Sequence, residues 1–248
     1  MSPVTVLGVI PARWGSTRFP GKPLARLAGR PLIQHVYQHA RQARLVDRIV
    51  VATDDRRIAA VVEAFGGEVV LTDSAHPTGS DRVAQVALSL PAGIVVNIQG
   101  DEPLLPPEAM NAAVRPLIED ATVQVATLAA PLAPPAAAAD PHVVKVVVDR
   151  AGYALYFSRG IIPHHLTFAD VPPPPLLYHL GLYAFRYAFL QRFTSWPQTP
   201  LEKAEKLEQL RILEHGHRIR VLKVEAVAPG VDTPEDLERL ERLLESDA

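Results

Sequence analysis

Short apolar runs alternate with helical periodicities through the first half of the chain, and this alternation restricts the fold more than any other feature. Residues 5–10, 48–52, 68–71, 94–98 and 124–129 read as strands, being brief, rich in Val, Ile and Leu, and bounded by turn residues. Between them lie helices. From Pro31 onward, Leu32, Ile33, Val36, Tyr37 and Ala40 make one apolar stripe; after Asp54 and Asp55 a second helix carries Ile58, Ala59, Val61, Val62 and Phe65 and stops at Gly66. Parallel strands need such crossovers, because a tight turn cannot return the chain to the same end of a sheet. The pattern predicts an α/β fold with a mostly parallel sheet, helices on both faces, and ligands at the carboxyl ends of the strands.

From His142 onward the texture changes. "HVVKVVVD", "GYALYFSR" and "YHLGLYAF" are β-like runs joined by a segment containing Pro172 to Pro175, and they predict a smaller inserted β region within the same domain. A helix over 201–215, a strand over 218–225 and a closing helix after Thr233 follow. The chain of 248 residues, 48% hydrophobic, is long enough to bury a sizeable core. A net charge of -2 supplies no basic field for a nucleic-acid partner, and the lack of cysteine excludes disulfides and thiolate metal sites. No basic leader or 18-residue apolar run is present, so no membrane association and a cytoplasmic location are expected.

The stretch "PARWGSTRFPGKPL", 11–24, follows the first strand and has the ingredients of a phosphate-binding P-loop. Its spacing is different: Gly15 and Gly21 are separated by five residues, not four, and Pro23 stands where Ser or Thr would hold Mg²⁺. Arg13, Arg18 and Lys22 still offer charge for a polyphosphate, and the glycines let backbone amides approach it. A solvated surface turn with ordinary cations is the bland alternative.

Several carboxylates stand at other predicted strand ends. "VVNIQGDEP", 95–103, brings Gln99, Asp101 and Glu102 to the same sheet edge as the basic loop, where a bound Mg²⁺ would reconcile acidic and phosphate oxygens; a turn or capping Asp is the structural alternative. In "GVDTPEDLERL", Asp232 is available to a cation if Thr233 caps the helix, and is structural if it caps the helix itself. "HPTGSDR", 76–82, sets Ser80, Asp81 and Arg82 at a helix start. At 100° per residue, Glu208 falls among Leu201, Ala204 and Ile212, an awkward place for a carboxylate that calls for a partner such as Arg211 or a substrate. His35 and His39 have metal-pair spacing without a third ligand nearby, and no GxSxG, HExxH or GxGxxG occurs.

Taken in order, "IPARWGSTRFPGKPL", "VATD", "HPTGSDR", "VNIQGDEP", "VKVVVDRAGYALYFSR", "HLGLYAFR", "LEQLR" and "GVDTPEDLERL" closely resemble the 3-deoxy-D-manno-octulosonate (KDO) cytidylyltransferases, or CMP-KDO synthetases, over nearly the whole chain. The resemblance implies a Rossmann-like nucleotidyltransferase fold and a reaction in which the anomeric hydroxyl of KDO attacks the α-phosphorus of CTP. It implies that Arg13, Ser16, Thr17, Arg18 and Lys22 cradle the triphosphate, and that Ser80, Arg82 and Gln99 line the cytidine side. Asp101 and Asp232 would be the Mg²⁺ carboxylates, with Lys22 beside them as the catalytic set. Gln99, Arg159, His179, Tyr183, Glu208 and Gln209 would form the sugar-acid pocket. A single domain is implied, its nucleotide portion mainly 1–130 and 217–248 and its sugar-binding and dimerisation portion about 140–216, in a homodimer serving lipopolysaccharide biosynthesis. Departures from the family pattern are Thr78 in place of Ser, Lys203-Ala204 in place of Gln-Ile, and the proline-rich segment between Arg159 and Tyr178. A cytidylyltransferase for another sugar acid, or a non-catalytic nucleotide-binding protein, would share much of this pattern.

Overall fold

The computed structural model describes residues 4–15, 19–132, 135–164, 175–225 and 230–246. Strand β1 (Val6–Ala12) leads through the basic loop and a hairpin, β2 (Arg26–Leu27) and β3 (Arg30–Pro31), into α1 (Leu32–Ala40). There follow β4 (Arg48–Thr53), α2 (Arg56–Ala64), β5 (Val69–Leu71), α3 (Gly79–Ser89), β6 (Ile94–Asn97), α4 (Pro107–Glu119) and β7 (Val125–Pro131). The second half adds β8 (Lys145–Val148), β9 (Ala154–Ser158), β10 (Leu177–Arg186), α5 (Tyr187–Ser195), α6 (Pro200–Glu205), α7 (Leu210–Glu214), β11 (Arg220–Lys223) and α8 (Pro234–Ser246).

The sheet runs β11-β7-β10-β6-β1-β4-β5, with β8 and β9 attached through β10. Pairings of β1 with β4 and β6, β4 with β5, and β11 with β7 are parallel, whereas β10 is antiparallel to both β6 and β7. The expected architecture is therefore present, with the β-rich second half supplying one central antiparallel strand and a two-strand extension. Strand alternation sends Val6 and Ile10 into one core and Leu7 and Val9 into the other. Helices α1, α2 and α4 cover the first face through Ile33, Val36, Ile58, Met110 and Val114; α3, α5 and α7 cover the second through Val83, Val86, Phe189, Phe193 and Ile212. Each such buried side chain contributes about 1.5–3 kcal/mol.

The helix expected over 201–215 is instead two helices meeting at a corner. Lys206 stands in the left-handed region, φ 52° and ψ 47°, and ends α6. The cause is a buried ion pair. Arg211 donates to both oxygens of Glu202 at 2.6 and 2.8 Å, with each side chain 4% exposed. Nine residues apart on one helix, they would point to faces about 180° apart. Folding α7 back onto α6 lets them meet, so Arg211 serves Glu202 and does not pair with Glu208. A smaller adjustment occurs at α1, where Pro31 is the residue before the helix and not its first member.

Candidate active site

The carboxyl ends of β1 and β6, the start of α3 and the residues before α8 surround a cleft of about 310 Å³. Arg13, Lys22, Arg82, Gln99, Asp101 and Asp232 all line it, so six sequence-predicted residues from distant segments converge. Pro11, His76, Thr78, Gly79 and Gly100 also line it, without having been singled out by motif chemistry. Ser16, Thr17 and Arg18 lie outside the described residues.

The centre of this cleft is a cation held by two carboxylates. The Lys22 ammonium donates to Asp101 Oδ2 at 2.7 Å and to the Val231 carbonyl at 2.9 Å, and lies 3.4 Å from Asp232 Oδ1. Backbone contacts set this up: the Val231 amide donates to the Asp101 carbonyl at 2.8 Å, which brings the segment before α8 alongside the end of β6. Thr233 is the cap of α8, its hydroxyl accepting from the Asp236 amide at 3.3 Å while Asp236 accepts from the amides of Asp232 and Thr233. Capping by Thr233 turns the Asp232 carboxylate to the cleft. Next to this cluster, Glu102 has an enclosed Oε2 with no partner among the described residues, and burial, followed by the charge of Asp101, pushes its carboxyl up to about 7.

At the rim, Thr78 begins α3 with a reciprocal cap, taking the Asp81 amide and receiving Asp81 at its own amide. Arg82 is buried; its guanidinium reaches Asp54 Oδ2 at 3.1 Å and bonds the Thr72 hydroxyl, so its charge is already positioned when it faces the cleft. Asp54, at the end of β4, is the partner that "VATD" carried without announcing it. Gln99 donates to the Gly181 carbonyl at 3.0 Å, across a register shift in β10 between Leu180 and Tyr183. A side chain at 181 would meet Gln99 Cγ at 2.9 Å, which is why glycine stands there.

A second, much smaller cavity of about 20 Å³ adjoins Ser80, Tyr183, Glu208 and Gln209. Ser80 therefore belongs to this side: its hydroxyl donates to Glu208 Oε2 at 2.9 Å and it does not line the larger cleft. Thr78 Oγ1 lies 2.9 Å from Glu208 Oε1 and 2.7 Å from Asp81 Oδ2, with one proton to give. Burial raises the Glu208 pKa, against the lowering by its hydrogen bonds from Ser80 and Thr78. The phenol of Tyr183 and the amide nitrogen of Gln209 are enclosed without partners among the described residues. His179, between Phe157 and Tyr183, takes Thr127 Oγ1 at 2.9 Å and is driven down to about 3 by burial, so it is neutral. Arg159 lines neither cavity; its guanidinium donates to the carbonyls of Glu205 and Pro141. The rings of His35 and His39 bond the carbonyls of Leu27 and Pro103, and among the described residues no third ligating side chain joins them to make a metal site.

A family model described as cytidylyltransferase matches residues 7–219, which take in the basic loop, every residue lining the smaller cavity and all those lining the cleft except Asp232. The chain belongs to the cytidylyltransferase family. This cytidylyltransferase is 52% identical over 244 residues to the 3-deoxy-manno-octulosonate cytidylyltransferase of Syntrophotalea carbinolica, covering 96% of this chain and 98% of that one. It is 48% identical to the enzyme of the same name from Geobacter metallireducens, covering 95% and 96% respectively. A solved CMP:2-keto-3-deoxy-manno-octonic acid synthetase complexed with CTP superposes with a TM-score of 0.93 at 42% identity, covering 98% of this chain and all of the other. The cytidylyltransferase described here is thus a nucleotidyltransferase enzyme with the expected fold.

Proposed function

We propose that this cytidylyltransferase transfers CMP from CTP to KDO, releasing pyrophosphate, in a Mg²⁺-dependent reaction that supplies lipopolysaccharide assembly in the cytoplasm, and that it works as a homodimer. The observation that carries the reaction is the Lys22 ammonium shared between Asp101 and Asp232 at the floor of the cleft. Two hard oxygen donors already converging there on one cation suit Mg²⁺, which takes one or two carboxylates and completes its shell with phosphate and water. Bound Mg²⁺ would neutralise charge on the phosphate oxygens as the α-phosphorus is attacked.

The chain's own residues supply position and electrostatics. Arg13 and Lys22, with Ser16, Thr17 and Arg18 of the same loop, would cradle the triphosphate; Arg82 and Gln99 would take the cytidine side. Lys22 has a further role, because its ammonium can pass from the carboxylates to the incoming phosphate oxygens as negative charge enters. An anionic sugar acid must approach an anionic nucleotide, so these cations offset repulsion while the two are held for in-line attack. His179, Tyr183, Glu208 and Gln209, with Gln99 of the larger cleft, would hold the acceptor, and Arg159 would join them by exchanging the carbonyls of Glu205 and Pro141 for the acceptor's carboxylate. The neutral His179 and the enclosed Tyr183 hydroxyl and Gln209 amide suit a polyhydroxylated ligand.

The test is pyrophosphate release with CTP and Mg²⁺, using KDO, a sialic acid or no sugar, with a chelated control. Release with KDO and metal alone supports the assignment. Release with sialic acid and not KDO would reassign the acceptor, and CTP binding without release from any acceptor would favour a non-catalytic protein.

A further inference from the structure

Trp14 stands in the basic loop but does not line the cleft. The Arg57 guanidinium lies over its ring, 3.4 Å from the centroid. That guanidinium is itself fixed: Arg57 Nε donates to Asp55 Oδ1 at 2.9 Å and Nη2 to Oδ2 at 2.6 Å, while Asp55 caps α2 by accepting the Arg57 amide. On the loop side, Gly21 adopts φ +72°, and a β-carbon there would stand 3.0–3.3 Å from three atoms of the Trp14 six-membered ring. The Gly21 amide donates to the Trp14 carbonyl at 3.0 Å, so these two residues close the base of the loop. The next residue is Lys22.

We propose that Arg57 is a positioning residue for the nucleotide site. Held by Asp55 on α2, it clamps Trp14 against Gly21 and so determines where Lys22 leaves the backbone to reach Asp101 and Asp232. The inference rests on reading the cleft as a CTP site. Its stabilising value is small, because the Arg57 side chain is 58% exposed and such ion pairs add little to folding. The effect of losing it therefore falls on loop geometry. An aromatic ring with a cation above it and a glycine beside it has one orientation, and that orientation is transmitted over a single peptide to the catalytic lysine.

The experiment is calorimetric titration of the full chain with CTP and Mg²⁺, without acceptor, for wild type, Arg57→Ala, Arg57→Gln, Trp14→Ala and the Arg57→Ala/Trp14→Ala double variant. Arg57→Ala and Arg57→Gln should each weaken CTP about 2- to 5-fold in this titration, the factor that an exposed cation–π contact is worth, and a separate steady-state assay of pyrophosphate release should find the KM for the acceptor unchanged. The double variant should bind CTP no more weakly than Trp14→Ala, since Arg57 acts through that ring. Wild-type CTP affinity in Arg57→Ala, wild-type affinity in Arg57→Gln, or effects that multiply in the double variant would overturn the inference. Wild-type protein that binds no CTP would instead overturn the reading of the cleft, so the two failures are distinguishable.

Discussion

Replacing Glu202 by Gln probes the corner that presents Glu208 and Gln209. Glu202 and Arg211 are each 4% exposed and joined by two short bonds, and Arg211 donates further to the Trp196 carbonyl at 3.1 Å. Removing one charge of a buried pair costs about 3–5 kcal/mol, because the other remains in a low-dielectric site without compensation. Gln keeps one acceptor for Arg211 and the cap interaction with the Thr199 amide, so the loss should fall near the lower bound, about 3 kcal/mol. In a chain of this length each kcal/mol shifts the melting temperature by roughly 2–4 °C, giving a drop of roughly 6–12 °C in scanning calorimetry. The loosened corner should also raise the acceptor KM more than the CTP KM, because residues 208 and 209 sit between α6 and α7. A drop below roughly 2 °C would refute the reasoning, showing that Arg211 is not held by its counter-charge. A Glu202→Leu/Arg211→Met variant should recover most of the lost stability, since an apolar pair removes both charges together.

Asp101→Asn should lower kcat by about 10²–10³-fold while leaving the far-ultraviolet circular dichroism spectrum unchanged, as expected for loss of one preorganised charge at the reacting phosphate; near-normal turnover would sink the metal assignment. Glu102→Gln should stabilise the metal-free protein at pH 8 but not at pH 4. Because the folded carboxyl is raised to about 7, the unfolded state loses its proton first, and wild-type stability falls as pH rises from about 4.5 through 7; equal melting temperatures at pH 8 would contradict this. Gly21→Ala should weaken CTP binding more than Arg57→Ala does, since it combines a left-handed φ with contact against Trp14, and calorimetric titration would reveal an unchanged affinity if that packing were dispensable.

Local chemistry made much of this protein legible before any tertiary structure. Alternating apolar runs imply parallel strands and crossovers because backbone geometry admits few other connections, and motif order carried the family and the residues that converge on the cleft. Thr233 as a cap was one of two local solutions, each consistent with the same short segment. Choosing between them took the contact of residues 230–232 with Asp101, more than a hundred residues away in the chain. The same holds for the broken helix at Lys206, where helical periodicity was overridden by a buried ion pair that only folding back can form. Glu208 could be recognised from sequence as a carboxylate in an apolar setting, but its partners, Thr78 and Ser80, lie on another helix start. The Arg57–Trp14 contact left no motif at all, since neither residue is unusual alone and their meeting depends on how α2 packs beside the loop. Sequence by itself determines what each segment can become and which chemical groups it brings; tertiary packing decides which buried charges meet, because the cost of leaving one unpaired depends on everything around it.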